Sequence, residues 1–229
     1  MLSEIHKKKI ESALVHIEKK GGRGTLIFGE FVLTAAHCIN WDSEGPMALG
    51  DWFPEPIKTS CGQSFILTPV ALEPLSDIAV LGEIDNQEYP DDADRFEAFR
   101  DGTEPIEICE TAFKRAEGHE VYMLDLEMNW VTGKVTRWSP YEHFGQIYIE
   151  TEAAIRGGCS GGPVVNSAGQ VVGVISTIGG TESEEKYMYK GKGSGHIPLA
   201  NFALPAWVRK RILDKGPTWI NEERKEVTE

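Results

Sequence analysis

From Thr25 onward the chain is built of short apolar runs broken by polar positions. TLIF and FVLTAA flank a Gly29-Glu30 turn, and FILTPVAL, DIAVL, EVYMLDL, WVTGKVTRW, QIYIETEAA and VVGVIST follow, separated by Gly, Pro, Asn and Asp. Runs of this length, bounded by turn residues, predict strands. Many of them in succession predict antiparallel barrels or a sandwich. Ahead of them, residues 3–20 place Ile10, Leu14 and Ile17 at i, i+4 and i+7 with charges between, which predicts an amphipathic helix ended by Gly21-Gly22. Residues 1–22 therefore read as a helical appendage and residues 23–216 as the main domain. Between Gly82 and Glu120 the strand texture fades into an acidic stretch, so a junction between two β halves is expected near 83–118, with a helical turn around Ala93–Phe99. FALPAWVRKRILDKG predicts a closing helix with Pro205 in its first turn and Gly216-Pro217 at its end. Residues 217–229 are left as a polar tail.

A chain of 229 residues can bury a sizeable core as one β domain. The net charge of −13 sets up a field that repels phosphate backbones, which argues against general nucleic-acid binding. The basic run Lys7–Lys9 reads as a solvated helix face, with a nucleic-acid or membrane contact as its alternative. The N-terminus lacks a signal-type apolar core, and no segment approaches the roughly 20 apolar residues of a membrane span, so a cytoplasmic protein without membrane contact is expected. Cys38, Cys61, Cys109 and Cys159 form no CxxC pair and no zinc-ligand spacing. Reduced thiols fit that compartment. His119, His143 and His196 have no ligand-like neighbours, and no metal site is expected.

The candidate chemistry lies in three motifs. Gly157-Gly158-Cys159-Ser160-Gly161-Gly162-Pro163 sits between two strand-like runs. Attack on an amide needs an exposed hydroxyl with N–H groups aimed at the developing oxyanion, and glycines allow both the turn and the close approach of substrate. A Gly-rich β-turn is the bland alternative. Thr34-Ala35-Ala36-His37-Cys38 follows the strand-like FVL, and Ser76-Asp77-Ile78-Ala79-Val80-Leu81 follows a proline-bounded loop. Alone, such a His is a structural hydrogen-bonder and such an Asp a turn residue or cap. Both together, in the order His, Asp, Ser, point to nucleophilic catalysis.

At these motifs the chain resembles the trypsin/chymotrypsin superfamily of serine proteases, over roughly residues 23–213. Thr151–Ile155, Ser76–Leu81 and Phe202-Ala203-Leu204-Pro205 resemble segments of its HtrA/Deg branch, whose members usually add a C-terminal PDZ domain. The resemblance implies an all-β fold of two six-stranded antiparallel β-barrels, with the N-terminal and C-terminal helices added. It implies Ser160 as nucleophile, His37 as general base and Asp77 as the residue that orients it, with the N–H groups of Gly158 and Ser160 as oxyanion hole and no cofactor. Two departures stand out. Secreted relatives commonly carry an Asp just before the nucleophile to receive a freed N-terminal ammonium, where this chain has Cys159. Residues 20–28 hold no partner cysteine for Cys38, so Cys38 is expected to be a free, buried thiol.

Specificity follows from the same resemblance. Ala154, six residues before the nucleophile, would lie at the base of the primary pocket beside Ile155, with no carboxylate to pair with Arg or Lys. Ser176-Thr177-Ile178 would form the edge that adds substrate as an extra strand. Cleavage after small or medium aliphatic residues of a protein or peptide is expected. Three other readings are set against this one. Cys159 as a thiol nucleophile falls one position too early, and an esterase with a nucleophile elbow would place Ser before Asp and His. A pseudoprotease that binds without cleaving keeps the fold but needs no triad. A cytoplasmic protease also needs restraint, and a regulatory partner protein is one source of it.

Overall fold

The computed structural model describes residues 1–39, 54–85, 87–109, 117–141, 144–152, 155–178, 193–200, 204 and 208–210. Two β barrels, one closed and one nearly closed, carry the fold, as the strand pattern predicts.

Helix α1 (Glu4–Ala13) is shorter than expected. Ser3 caps it, accepting the His6 N–H at 3.2 Å. It stops at Leu14 because the next four residues are more stable as strand β1 (Leu14–Ile17), which pairs with neighbours on both sides. Leu14, Val15 and Ile17 are buried there and His16 points outward. Residues 1–22 are therefore not an appendage: the chain passes from helix straight into the first barrel. The helical spacing of Leu14 and Ile17 fits a buried strand equally well, and tertiary pairing decides between the two. Helix α1 also reaches the second barrel. Glu11 accepts the Trp130 indole N–H at 2.7 Å, and the His6 ring packs on Gly169.

The first barrel adds β2 (Arg23–Ile27), β3 (Phe31–Ala35), β4 (Glu55–Thr59), β5 (Ser64–Glu73) and β6 (Ile78–Glu83). Their order is β1-β2-β3-β6-β5-β4, with β1 and β4 pairing to close the cylinder. Closure leaves no open edge. Pro69 lies at a bulge in β5, the position where a residue without an N–H is tolerated inside a sheet.

The junction holds a full helix, α2 (Pro90–Gly102), rather than a single turn. Phe96 and Phe99 project from it onto Phe65 of β5, with ring centroids 5.4 and 5.6 Å apart. Pro90 and two acidic residues begin the helix, as its dipole favours. Beyond it the chain bridges the two halves, Ile106 beside Ile27 and Ile108 beside Val171.

The second half comprises β7 (Glu120–Leu124), β8 (Trp130–Tyr141), β9 (Phe144–Thr151), β10 (Pro163–Val165), β11 (Val171–Val174), β12 (Thr177–Ile178) and β13 (Gly193–Pro198). The sheet runs β11-β10-β7-β8-β9-β13-β12. A bridge between Gly173 and Leu199 brings β11 against the end of β13 and almost closes the second barrel. Its core gathers Val121, Val135, Ile147, Ile149, Val164 and Val172. Of the predicted closing helix, Val208–Lys210 are helical, and Pro205 and the tail 217–229 lie outside the described residues.

Candidate active site

The meeting of His37 and Asp77, forty positions apart, is a consequence of strand order. Strand β3 pairs with β6 in antiparallel register, Ala35 opposite Ile78, so the residues just past one strand and just before the other are neighbours. The Ala36 N–H donates to the Asp77 carbonyl at 3.1 Å. A single 3-10 turn, Ala36–Cys38, buries the Ala36 and Cys38 side chains and leaves His37 facing out. Asp77 itself has φ of 58°, a left-handed conformation that Asp tolerates better than most residues.

The Asp77 carboxylate accepts from three donors. Oδ1 takes the His37 backbone N–H at 2.9 Å; Oδ2 faces His37 Nδ1 at 2.7 Å and accepts the Ser176 hydroxyl at 2.5 Å. Ser176 follows β11 and is buried. Burial pushes the Asp77 pKa up, but the hydrogen bonds from His37 and Ser176 outweigh it and hold the carboxyl below its ordinary range. The same bond to Asp77, with a further contribution from the Cys38 thiol, pushes the His37 imidazole up to about 10.

The loop that carries Ser160 packs from the second barrel against the first. The Ser160 carbonyl accepts the Arg23 N–H at 2.7 Å, and the next residue, Gly161, donates to the Ile175 carbonyl at 2.7 Å. The loop is thus held between the start of β2 and the residue that precedes Ser176. The fit leaves room only for glycine at two positions. A Cβ at Gly22 would lie 2.6 Å from Cys38 Sγ and 2.9 Å from the Ser160 carbonyl oxygen. A Cβ at Gly161 would lie 2.1 Å from the Arg23 carbonyl oxygen and 2.4 Å from Thr34 Oγ1. Gly22 is therefore pressed between the neighbour of His37 and the carbonyl of Ser160. Among the described residues, no hydrogen bond joins the His37 ring to the Ser160 hydroxyl, and the Gly158 and Ser160 N–H groups donate to no protein acceptor.

The sequence is also matched by the model of the trypsin-like peptidase domain, over residues 22–174. The chain belongs to the trypsin-like peptidase family. The family match takes in His37, Asp77 and Ser160 and begins at Gly22, the glycine caught between the two catalytic candidates' surroundings. Two curated relatives carry the name "probable periplasmic serine endoprotease DegP-like". The protein of Chlamydia trachomatis is 38% identical over 68 residues, 30% of this chain and 11% of its own length. That of Chlamydia pneumoniae is 38% identical over 68 residues, which is 12% of its length. The match thus spans about a ninth of the length of these curated relatives. Among solved structures, the inactive form of the Rv3671c protease aligns over 93% of both chains, with a TM-score of 0.54 and 17% identity. The serine endoprotease of Yersinia pestis aligns over 86% of this chain and 63% of its own, with a TM-score of 0.52 and 20% identity. At that identity the likeness is one of trypsin-like fold.

The residues assigned to substrate binding are placed unevenly. Ile155 is buried in the second core. The Ser176 side chain is directed at Asp77. Thr177–Ile178 form β12 and pair with β13. Ala154 lies outside the described residues. Sequence reasoning missed the Asp77 partner role of Ser176, the close packing of Gly22 and the buried Arg23, since each is defined by contacts across the barrels.

Proposed function

We propose that this trypsin-like domain is a serine endopeptidase in which Ser160 Oγ attacks the scissile carbonyl, His37 takes its proton and Asp77 fixes the imidazole tautomer. The observation that carries the reading is the double hydrogen bond from the His37 ring and backbone to Asp77, set against the loop that holds Ser160. The N–H groups of Gly158 and Ser160 receive the oxyanion; Gly158, at φ of 93°, adopts a conformation open to glycine and aims its backbone without a side chain in the way. Collapse of the tetrahedral intermediate expels the amine, protonated by His37, and leaves an acyl-enzyme that His37-activated water hydrolyses.

Proteins or peptides are the substrates of this reading. Cleavage falls after small or medium aliphatic residues, because neither Ala154 nor Ile155 offers a carboxylate to a basic side chain. The four cysteines, none of them in a disulfide, fit a reducing, cytoplasmic setting; cell fractionation tests this directly. A regulatory partner supplies the restraint such an enzyme needs. The test of function is casein digestion by the parent and by Ser160→Ala: fragments from the parent alone support the endopeptidase. Intact casein with both, across a panel of unfolded proteins, contradicts it and favours a binding module that does not cleave.

A further inference from the structure

Arg23 opens β2 with its guanidinium inside the protein, 3% exposed. Nη1 donates to the Leu124 carbonyl at 3.2 Å and Nη2 to the Leu126 carbonyl at 3.0 Å. Both acceptors lie where β7 enters its turn toward β8, in the second barrel. The main chain of the same residue holds the nucleophile loop: its N–H donates to the Ser160 carbonyl at 2.7 Å, and its own carbonyl accepts the Thr34 hydroxyl at 2.6 Å. Leu126 is 45% exposed, and its Cδ1 stands 2.9 Å from where a Cβ on Gly158 would be. The Arg23 side chain therefore fixes the residue that walls Gly158, and the Arg23 backbone fixes Ser160.

A guanidinium taken out of water without a carboxylate is costly, and no ion pair to Arg23 occurs among the described residues. Arg is the side chain whose planar fork can satisfy two carbonyls at once. The site it occupies is the floor of the loop whose Cys159 stands where a carboxylate could have received a cation. Cys159 is fully buried. Burial raises its thiol pKa, with Arg23 pulling the other way.

We propose that Arg23 is the positioning residue of the oxyanion hole, an internal cation that ties the first barrel to the 124–126 turn so that the N–H groups of Gly158 and Ser160 converge on one point. The inference rests on the serine-peptidase reading. Its effect is on the transition state, where the oxyanion forms, and not on ground-state binding of the peptide.

Arg23→Met keeps an unbranched apolar stem and removes the fork. With a peptide amide substrate, kcat is expected to fall about 10- to 100-fold, less than the roughly 10²–10³ lost when an oxyanion donor itself is removed. KM stays within about twofold, and affinity for a peptide boronic acid, whose tetrahedral adduct occupies the hole, falls in step with kcat. Millimolar guanidinium added to Arg23→Ala restores part of the rate. The pH profile set by His37 is unmoved. Retention of parental kcat and boronate affinity in Arg23→Met overturns the proposal, as does a loss shared equally by KM and kcat. If Arg23→Met fails to fold, Leu126→Ala tests the same strut at an exposed residue: it must lower kcat several-fold with an unchanged melting temperature, and an unchanged kcat overturns the proposal. A parent inert toward both substrate and boronate overturns the peptidase reading and this one with it, whereas an active parent with an unaffected variant overturns this one alone.

Discussion

Ser176 donates its hydroxyl to the Asp77 carboxylate oxygen that also faces His37 Nδ1, at 2.5 and 2.7 Å. A residue of the second barrel thus helps to orient a pair built entirely by the first. Removing it in Ser176→Ala takes one donor from a largely desolvated carboxylate, and hydrogen bonds to charged groups of this kind are worth about 1.5–3 kcal/mol. The expected result is a kcat/KM lower by about 10-fold. The Asp77 carboxylate, freed of one donor, then pulls harder on the imidazolium, so the active limb of the pH profile moves to higher pH. Steady-state rates from pH about 6 to 10 read both effects.

The bond to Asp77 that raises the His37 pKa to about 10 gives the pH dependence a definite sign. A general base must be neutral, so activity rises as pH climbs above the ordinary histidine value of about 6.5. The ring is 49% exposed and water screens the pair, which places the midpoint between the ordinary value and about 10. Asp77→Asn moves the midpoint back toward about 6.5 and lowers kcat by about 10⁴. For stability the raised His37 pKa contributes most below about 6.5 and is lost as pH rises through the folded value, while the lowered Asp77 pKa contributes above about 3.9 and is lost as pH falls. Melting curves of the parent should weaken on the alkaline side relative to its maximum, and those of His37→Ala should lose that slope.

Gly161→Ala tests the seating of the nucleophile loop. The added carbon would overlap the Arg23 carbonyl and the Thr34 hydroxyl at a φ of 77°. Backbone must shift, and a loss of about 2–4 kcal/mol in urea denaturation is expected, together with peptidase activity.

Deletion of residues 1–12 and of residues 1–22 should behave very differently. The first removes the Glu11–Trp130 hydrogen bond and most of α1, costing about 1–3 kcal/mol in stability. The second also removes β1, which closes the first barrel between β2 and β4. That chain is expected to be insoluble, which sedimentation after lysis will show.

Strand identities and the three site motifs were legible because each is local. A short apolar run between turn residues marks a strand, and a histidine at a strand end or a serine among glycines carries its chemistry in its immediate neighbours. Leu14 and Ile17 mislead because helical and buried-strand spacings coincide over four residues, and only their pairing with Thr25 and Ile57 decides. From sequence α2 shows only as a turn because its apolar face is just Ala93, Phe96 and Phe99 in an acidic segment, and Phe65, which those aromatics cover, lies in a distant strand. Arg23 gave no signal at all. A lone basic residue between glycines looks like surface until the barrels close over it.

The most direct measurement is fluorophosphonate labelling of the purified parent and of Ser160→Ala between pH 6 and 10, with the labelled peptide located by mass spectrometry. The account predicts a single adduct on Ser160, formed faster as His37 loses its proton, and none in the variant. Labelling elsewhere, or no labelling of Ser160 at any pH, would contradict it.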